Sequence, residues 1–148
     1  MTRLHRTTHS EHETESFAAE IARQVTPPLV LLLEGELGAG KTAFVRGFVR
    51  ALPGGEGVVV QSPTFALARS YPTTPPVHHL DLYRLADARG LEELGLMELL
   101  RDQGAFSLVE WMRDLALPGP VGCVRIATAG EDADRREIAV ELPDAGDA

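Results

Sequence analysis

The chain has 148 residues, 44% of them hydrophobic, enough to bury the core of one small α/β domain with little room for a second. Its formal net charge of −8 disfavours unaided binding to DNA or RNA, because that affinity comes mainly from Lys and Arg displacing counterions from phosphates. A single cysteine, Cys123, excludes an internal disulfide, and without a long apolar run or a secretory leader we expect a soluble cytoplasmic protein that does not enter a membrane.

Hydrophobic periodicity divides the first half of the chain into strands and helices. The predicted elements are an edge strand at 2–7, a helix that begins after Ser10, a buried strand at 29–33 and a helix at 41–52. Ser10 and Glu13 have the spacing of a capping box, and the continuous apolar run at 29–33 is typical of a strand covered on both faces.

The second half predicts further strands and one more helix. The predicted elements are strands at 58–60, 66–71, 77–81 and 106–109, a helix at 91–100, and a hairpin of 121–127 and 137–142 joined by the charged segment 130–136. No internal repeat is visible. We expect one domain over residues 1–148, with 143–148 as a candidate flexible tail.

A complete phosphate-binding motif, G-x-x-x-x-G-K-T, lies between the strand at 29–33 and the helix at 41–52. Its glycines let successive backbone N–H groups surround oxyanions, Lys41 would bridge the β- and γ-phosphate oxygens, and the Thr42 hydroxyl would ligate magnesium. The predicted ATP-binding residues of this loop are Gly35, Glu36, Leu37, Gly38, Ala39, Gly40, Lys41, Thr42 and Ala43. The motif in this context predicts a P-loop NTPase-like three-layer α/β fold, with a central mainly parallel sheet, antiparallel edge strands and flanking helices.

Lys41 is the only lysine of the chain. Guanine-specific P-loop GTPases usually recognise their base with an Asn-Lys-x-Asp segment, which needs a second lysine and an asparagine, and the chain contains neither. ATP with Mg²⁺ is therefore the predicted ligand pair.

Two carboxylates follow predicted strands and are candidate magnesium ligands. Asp81 ends the strand at 77–81 and Glu110 follows the strand at 106–109, so both are expected at the sheet edge where α/β proteins bind ligands. The alternatives without a metal are that Asp81 is a solvated residue that caps the next turn, and that Glu110 is an ordinary carboxylate at the sheet edge. The predicted catalytic residues are Lys41, Asp81 and Glu110. Leu82 stands where many hydrolytic P-loop enzymes place a water-orienting glutamate, so Glu110 or a partner must activate the water. Slow intrinsic hydrolysis is therefore expected.

Several other residues carry weaker hypotheses. Ser62-Pro63-Thr64-Phe65 could be a switch that senses the γ-phosphate, or a plain turn before a strand. Trp111 suits either the core or a partner contact. The adjacent His78 and His79 point to opposite faces of a strand, which argues against one shared metal ion and favours structural or partner-facing roles.

Four motifs in this order resemble the bacterial TsaE (YjeE) family, the P-loop ATPase of tRNA threonylcarbamoyladenosine biosynthesis. They are the loop at 35–42, Ser62 to Phe65, His79 to Leu85, and Val109-Glu110-Trp111. The similarity extends from the first helix to Trp111, and the C-terminal hairpin is similar only in outline. Ala43 stands where family members often carry a second threonine, which removes an auxiliary hydroxyl and leaves the backbone amide.

The resemblance implies partners and further site residues. The partners would be the TsaB and TsaD proteins, which attach a threonylcarbamoyl group to the adenosine beside the anticodon, with the tRNA contacted indirectly through them. TsaD would carry the transfer chemistry and this ATPase would reset the complex between rounds. Ser10 would border the adenine, Arg136 would contact nucleotide, and Trp111, Tyr83 and Arg84 would lie at the site edge or the partner surface.

Two competing functions share the phosphate loop. A small-molecule kinase could use Asp81 to accept a proton from a substrate hydroxyl, but the chain offers no long segment between its motifs for an acceptor pocket and lid. A non-hydrolytic, ATP-dependent interaction module would differ from the ATPase in whether Glu110 is needed for turnover.

Overall fold

The computed structural model describes residues 1–36, 38–63, 67–82, 89–110 and 117–144. Its strands are β1 Thr2–Thr8, β2 Leu29–Glu34, β3 Ala68–Tyr71, β4 Val77–Asp81, β5 Phe106–Glu110, β6 Val121–Ala129 and β7 Asp132–Leu142. Its helices are α1 Glu11–Gln24, α2 Lys41–Arg50, α3 Arg89–Glu93 and α4 Leu96–Leu100. Within these residues no helix is long and apolar enough to cross a membrane.

The described strands form one seven-stranded sheet in the order β1-β7-β6-β2-β5-β4-β3. The four central strands, β6, β2, β5 and β4, are parallel to one another. β7 and β1 add an antiparallel pair at one edge, and β3 adds an antiparallel strand at the other. This arrangement confirms the predicted α/β fold with a mainly parallel centre and antiparallel edges.

Alternation along β2 assigns its apolar side chains to two cores, one on each face of the sheet. Leu31 and Leu33 belong to the larger core, where Phe17 of α1 and Phe48 of α2 are buried. Val30 belongs to the second core, which includes residues of α3 and α4. Because both faces are covered, β2 is a continuous apolar run. The carboxyl ends of the four central strands meet at one edge of the sheet because these strands are parallel.

Two of the predicted elements are wrong. Residues 58–60 form no strand, and the Val58 N–H donates to the carbonyl of Gly55 in a turn. Val60 is buried, Val58 is partly buried against the same core and Val59 is 71% exposed, so Val58 and Val60 contact the core without strand pairing. The predicted helix at 91–100 is two short helices, because Gly95 adopts a left-handed conformation with φ of 71°.

The C-terminal hairpin is longer than its apolar pattern predicts. The ladder between β6 and β7 continues to the pair Ala129 and Asp132, so most of the charged segment 130–136 belongs to a strand. Residues 132–135 are exposed. Charged side chains fit this part of the ribbon because solvent surrounds it, and pairing with β6 maintains the extended backbone without help from a buried face.

Candidate active site

The phosphate-binding loop connects β2 to α2. Gly38 and Gly40 have φ of 80° and 113°, in the left-handed region that glycine adopts without a steric cost. At Gly35 a Cβ atom would lie 2.7 Å from the carbonyl oxygen of Ile126, so a side chain would displace the loop from β6. Gly40 precedes α2 without a side-chain cap, which leaves the first N–H groups of that helix available to an anion.

Lys41 begins α2 and is buried. Its Nζ donates a hydrogen bond to the Gly35 carbonyl, 2.8 Å away, so the side chain folds back over the loop. Burial lowers the pKa of Lys41, and the negative charges of Glu110 and Asp81 oppose that effect. Both predicted carboxylates are therefore close enough to act electrostatically on this ammonium.

Asp81 and Glu110 are the last residues of β4 and β5. In the parallel register Glu110 pairs with Asp81 on one side and with Leu33 of β2 on the other. Both carboxylates are buried, at 6% and 3% exposure. The Ser62 hydroxyl donates to Oδ2 of Asp81 at 3.2 Å, which brings the start of the predicted switch to the same carboxylate.

His79 is a site residue that the sequence reasoning missed. Its Nε2 lies 2.5 Å from Oε2 of Glu110, and the ring is fully buried. His78 contacts Ser70 and Asp102 instead, as expected for neighbours on opposite faces of a strand. The signal that could have found His79 is its spacing: it lies two residues before Asp81 and therefore shares the face of that carboxylate.

Arg136 lies against the phosphate-binding loop, although it is distant in sequence. Its Nε donates to the Ala39 carbonyl at 2.8 Å and its Nη2 donates to the Gly38 carbonyl at 3.3 Å.

Ser10 caps the start of α1, as predicted. Its hydroxyl accepts a hydrogen bond from the Glu13 N–H at 3.1 Å. The Glu13 side chain accepts from the backbone N–H of His9 rather than from Ser10. Contacts of Ser10 and Arg136 with a nucleotide stay predictions.

Some predicted site residues lie outside the described part of the chain. These are Leu37, Thr64, Phe65, Tyr83, Arg84 and Trp111. Residues 145–148 of the predicted tail lie outside it as well.

The polar groups gathered at this edge fit a magnesium nucleotide. Among the described residues no group of three or more His, Cys, Asp and Glu side chains is arranged to hold a metal ion. Mg²⁺ bound with a nucleotide needs no such cage, because it usually takes one or two carboxylates together with phosphate oxygens and waters. Asp81 and Glu110 supply the carboxylates that this requirement names, and Thr42 lies in the first turn of α2.

Comparison with known proteins identifies the family. The sequence model of the family described as "Threonylcarbamoyl adenosine biosynthesis protein TsaE" matches residues 8–138. The chain belongs to the TsaE family. Membership places it in the biosynthesis of threonylcarbamoyladenosine in tRNA, and it confirms the resemblance drawn from the four motifs. The match continues beyond Trp111 through most of the hairpin and includes Arg136.

Individual TsaE proteins are similar over most of their length. The TsaE protein of Rickettsia bellii is 38% identical over 127 residues, covering 84% of this chain and 86% of the relative. That of Bacillus subtilis is 39% identical over 132 residues, covering 88% and 80%. The crystal structure of YdiB from Bacillus subtilis superposes with a TM-score of 0.74 at 34% identity, over 95% of this chain and 86% of that chain.

Proposed function

We propose that the chain is a Mg²⁺-dependent, slowly hydrolysing ATPase that acts on a TsaB–TsaD complex during threonylcarbamoylation of the adenosine beside the tRNA anticodon. The observation that carries this proposal is the meeting of Lys41 with Asp81 and Glu110 at the carboxyl ends of three adjacent parallel strands. Family membership supplies the tRNA modification. The absence of a second lysine and of asparagine favours adenine over guanine.

Each residue would have a distinct task. Lys41 would release the Gly35 carbonyl and hold β- and γ-phosphate oxygens, while the N–H groups at the start of α2 face the same anion. Thr42, Asp81 and Glu110 would hold Mg²⁺, which supplies positive charge beside the transferred phosphoryl group when bound. Glu110 would orient the attacking water and accept its proton.

The proposed slow rate of ATP hydrolysis follows from the residue after Asp81. Leu82 is apolar and buried, so it cannot activate water. Glu110 must therefore serve both the metal and the water, unless a partner protein provides a further group. A small-molecule kinase would instead need an acceptor hydroxyl near Asp81, and release of free phosphate without any acceptor would argue against it.

Reconstitution with TsaB, TsaD and tRNA tests the proposal directly. Modified nucleoside is scored over many rounds with wild-type protein, Lys41→Ala and Glu110→Gln. Lys41→Ala should lose ATP binding, because the remaining loop lacks the cation that neutralises the phosphates. Glu110→Gln should bind ATP and still stall repeated turnover, with a loss of about 100-fold or more in hydrolysis.

Glu92→Gln is the matched control, because that glutamate is exposed and paired with the exposed Arg101 at the end of α4. It should behave as wild type. If modification over many rounds does not depend on this protein, the proposed role is wrong. If Glu110→Gln supports undiminished turnover, hydrolysis by that residue is not part of the mechanism, and the chain is an ATP-dependent interaction module.

A further inference from the structure

Among the described residues, His79 and Glu110 form the most deeply buried histidine–carboxylate pair, and Glu110 belongs to the candidate site. His79 is 0% exposed and Glu110 is 3% exposed, and their side chains meet between adjacent parallel strands at an Nε2 to Oε2 distance of 2.5 Å. A carboxylate removed from water in this way needs a donor to stabilise its charge. The imidazole provides it from a side chain that solvent cannot reach.

The other ring nitrogen of His79 defines the direction of this hydrogen bond. Nδ1 is buried and, among the side-chain atoms that the structure describes, it has no hydrogen-bond partner. A proton on Nδ1 would be a buried donor without an acceptor. The ring therefore donates from Nε2 to Glu110, and Nδ1 keeps its lone pair.

An aromatic ring of the edge strand lies beside the imidazole. The Tyr71 ring on β3 lies 6.3 Å from the His79 ring between centroids, tilted by 33°. The Tyr71 hydroxyl in turn reaches the carbonyl of Gln61, next to Ser62. The edge strand, the histidine and the carboxylate thus form one packed row across β3, β4 and β5.

We propose that His79 is a positioning residue for Glu110. By holding Oε2 it also restricts where Oε1 can lie, because the two oxygens belong to one rigid planar group. His79 itself would touch neither nucleotide nor magnesium. The inference rests on the proposed function of Glu110 at a magnesium nucleotide. Groups that orient ligating side chains typically contribute about 10- to 100-fold in metal affinity or activity.

His78 provides an internal comparison on the same strand. It also contacts a carboxylate, with Nε2 2.9 Å from Oδ2 of Asp102, but it faces away from Glu110 and its partner is 40% exposed. The chain therefore contains two adjacent His–carboxylate pairs, one at the site and one remote from it. Substituting each separately distinguishes positioning of Glu110 from general support of β4.

The experiment compares His79→Leu, His79→Gln and His78→Leu with wild type in single-turnover ATP hydrolysis. His79→Leu should slow hydrolysis at saturating Mg²⁺ and ATP by about 10- to 100-fold. Its affinity for ATP without magnesium, which depends on the phosphate loop, should stay at the wild-type value. His79→Gln can place an amide N–H near the position of Nε2 and should recover most of the rate. His78→Leu should lower the melting temperature and leave the rate unchanged.

Two results would overturn the proposal. One is a wild-type rate in His79→Leu; the other is an equal loss in all three variants together with weaker binding of ATP, which would mean that β4 merely needs both histidines to fold. Wild-type protein that neither binds nor hydrolyses ATP would instead reject the proposed function.

If His79→Leu does not fold, ¹⁵N-edited NMR of the free wild-type protein gives an independent readout. The Nε2 proton of His79 should exchange slowly with solvent and its resonance should shift in Glu110→Gln. A ring proton that is insensitive to Glu110→Gln means that the hydrogen bond does not exist, and the proposal is then wrong.

Discussion

At the scale of one residue, the surroundings of Lys41 explain why arginine would not fit at this position. Its ammonium is buried, its pKa is lowered by that burial, and it fits against the Gly35 carbonyl beside two carboxylates. A compact ammonium can exchange a carbonyl for phosphate oxygens in so small a space, whereas a planar guanidinium presents five donors in one plane and needs acceptors arranged to match them. Every other basic side chain outside the histidines is an arginine, and the exception occurs where the geometry demands it.

Cys123 on β6 should be an unreactive thiol. Burial, followed by the negative charge of Glu34, raises its pKa to about 11, so the neutral thiol persists at neutral pH and thiolate appears as the pH approaches that value. We expect alkylation by iodoacetamide at pH 8 to be roughly 10- to 100-fold slower in the folded protein than in urea. Mass spectrometry measures the rates.

Glu34→Gln provides the control for this prediction. It removes one negative charge beside the thiol and should speed the reaction of the folded protein. Equal rates for folded and unfolded chains at pH 8 would contradict the raised pKa.

At the scale of elements, the close approach of α1 to α2 leaves no room for a side chain at position 47. A Cβ at Gly47 would lie 2.2 Å from the carbonyl oxygen of Glu15 and 2.5 Å from its Cα. Alanine normally favours a helix by about 1 kcal/mol over glycine. Because the neighbouring atoms are backbone, α1 would have to move away, and that displacement outweighs the gain.

Gly47→Ala should therefore lower the free energy of unfolding by about 1–3 kcal/mol, measured by urea denaturation. Gly104→Ala is the matched control, since the nearest atom to its added Cβ is Asp102 Oδ1 at 3.6 Å. It should change stability by less than about 0.5 kcal/mol. A Gly47→Ala variant as stable as wild type would mean that the two helices can separate without cost.

Local patterns predicted some elements better than others for a physical reason. β2, β4 and β5 are buried at nearly every position, and β2 shows this in the sequence as a short continuous apolar run. Residues 132–135 of β7 are exposed and charged, so their extended conformation depends on pairing with β6, which no local pattern records. The left-handed Gly95 similarly divides a helix whose periodicity looks continuous.

At the scale of the whole molecule, the charge distribution bears on the tRNA. With a net charge of −8 the chain repels a polyanion, so we expect no measurable binding to tRNA at about 150 mM salt in a gel-shift assay. Adding TsaB and TsaD should shift the tRNA band in the gel, if those proteins hold it as proposed. Submicromolar binding by this chain alone would contradict the prediction, and a basic RNA-binding protein serves as the positive control.

The sequence by itself determined the phosphate-binding loop, its strand-to-helix context and the two carboxylates at strand ends, because each is a local feature of a few consecutive residues. Only the tertiary structure decided that Glu110 pairs with Asp81 across parallel strands, that His79 contacts Glu110, and that Arg136 donates to the carbonyls of the loop. These contacts join residues 29 to 98 positions apart. Their formation depends on strand order and register, which are consequences of packing the whole sheet between its two cores.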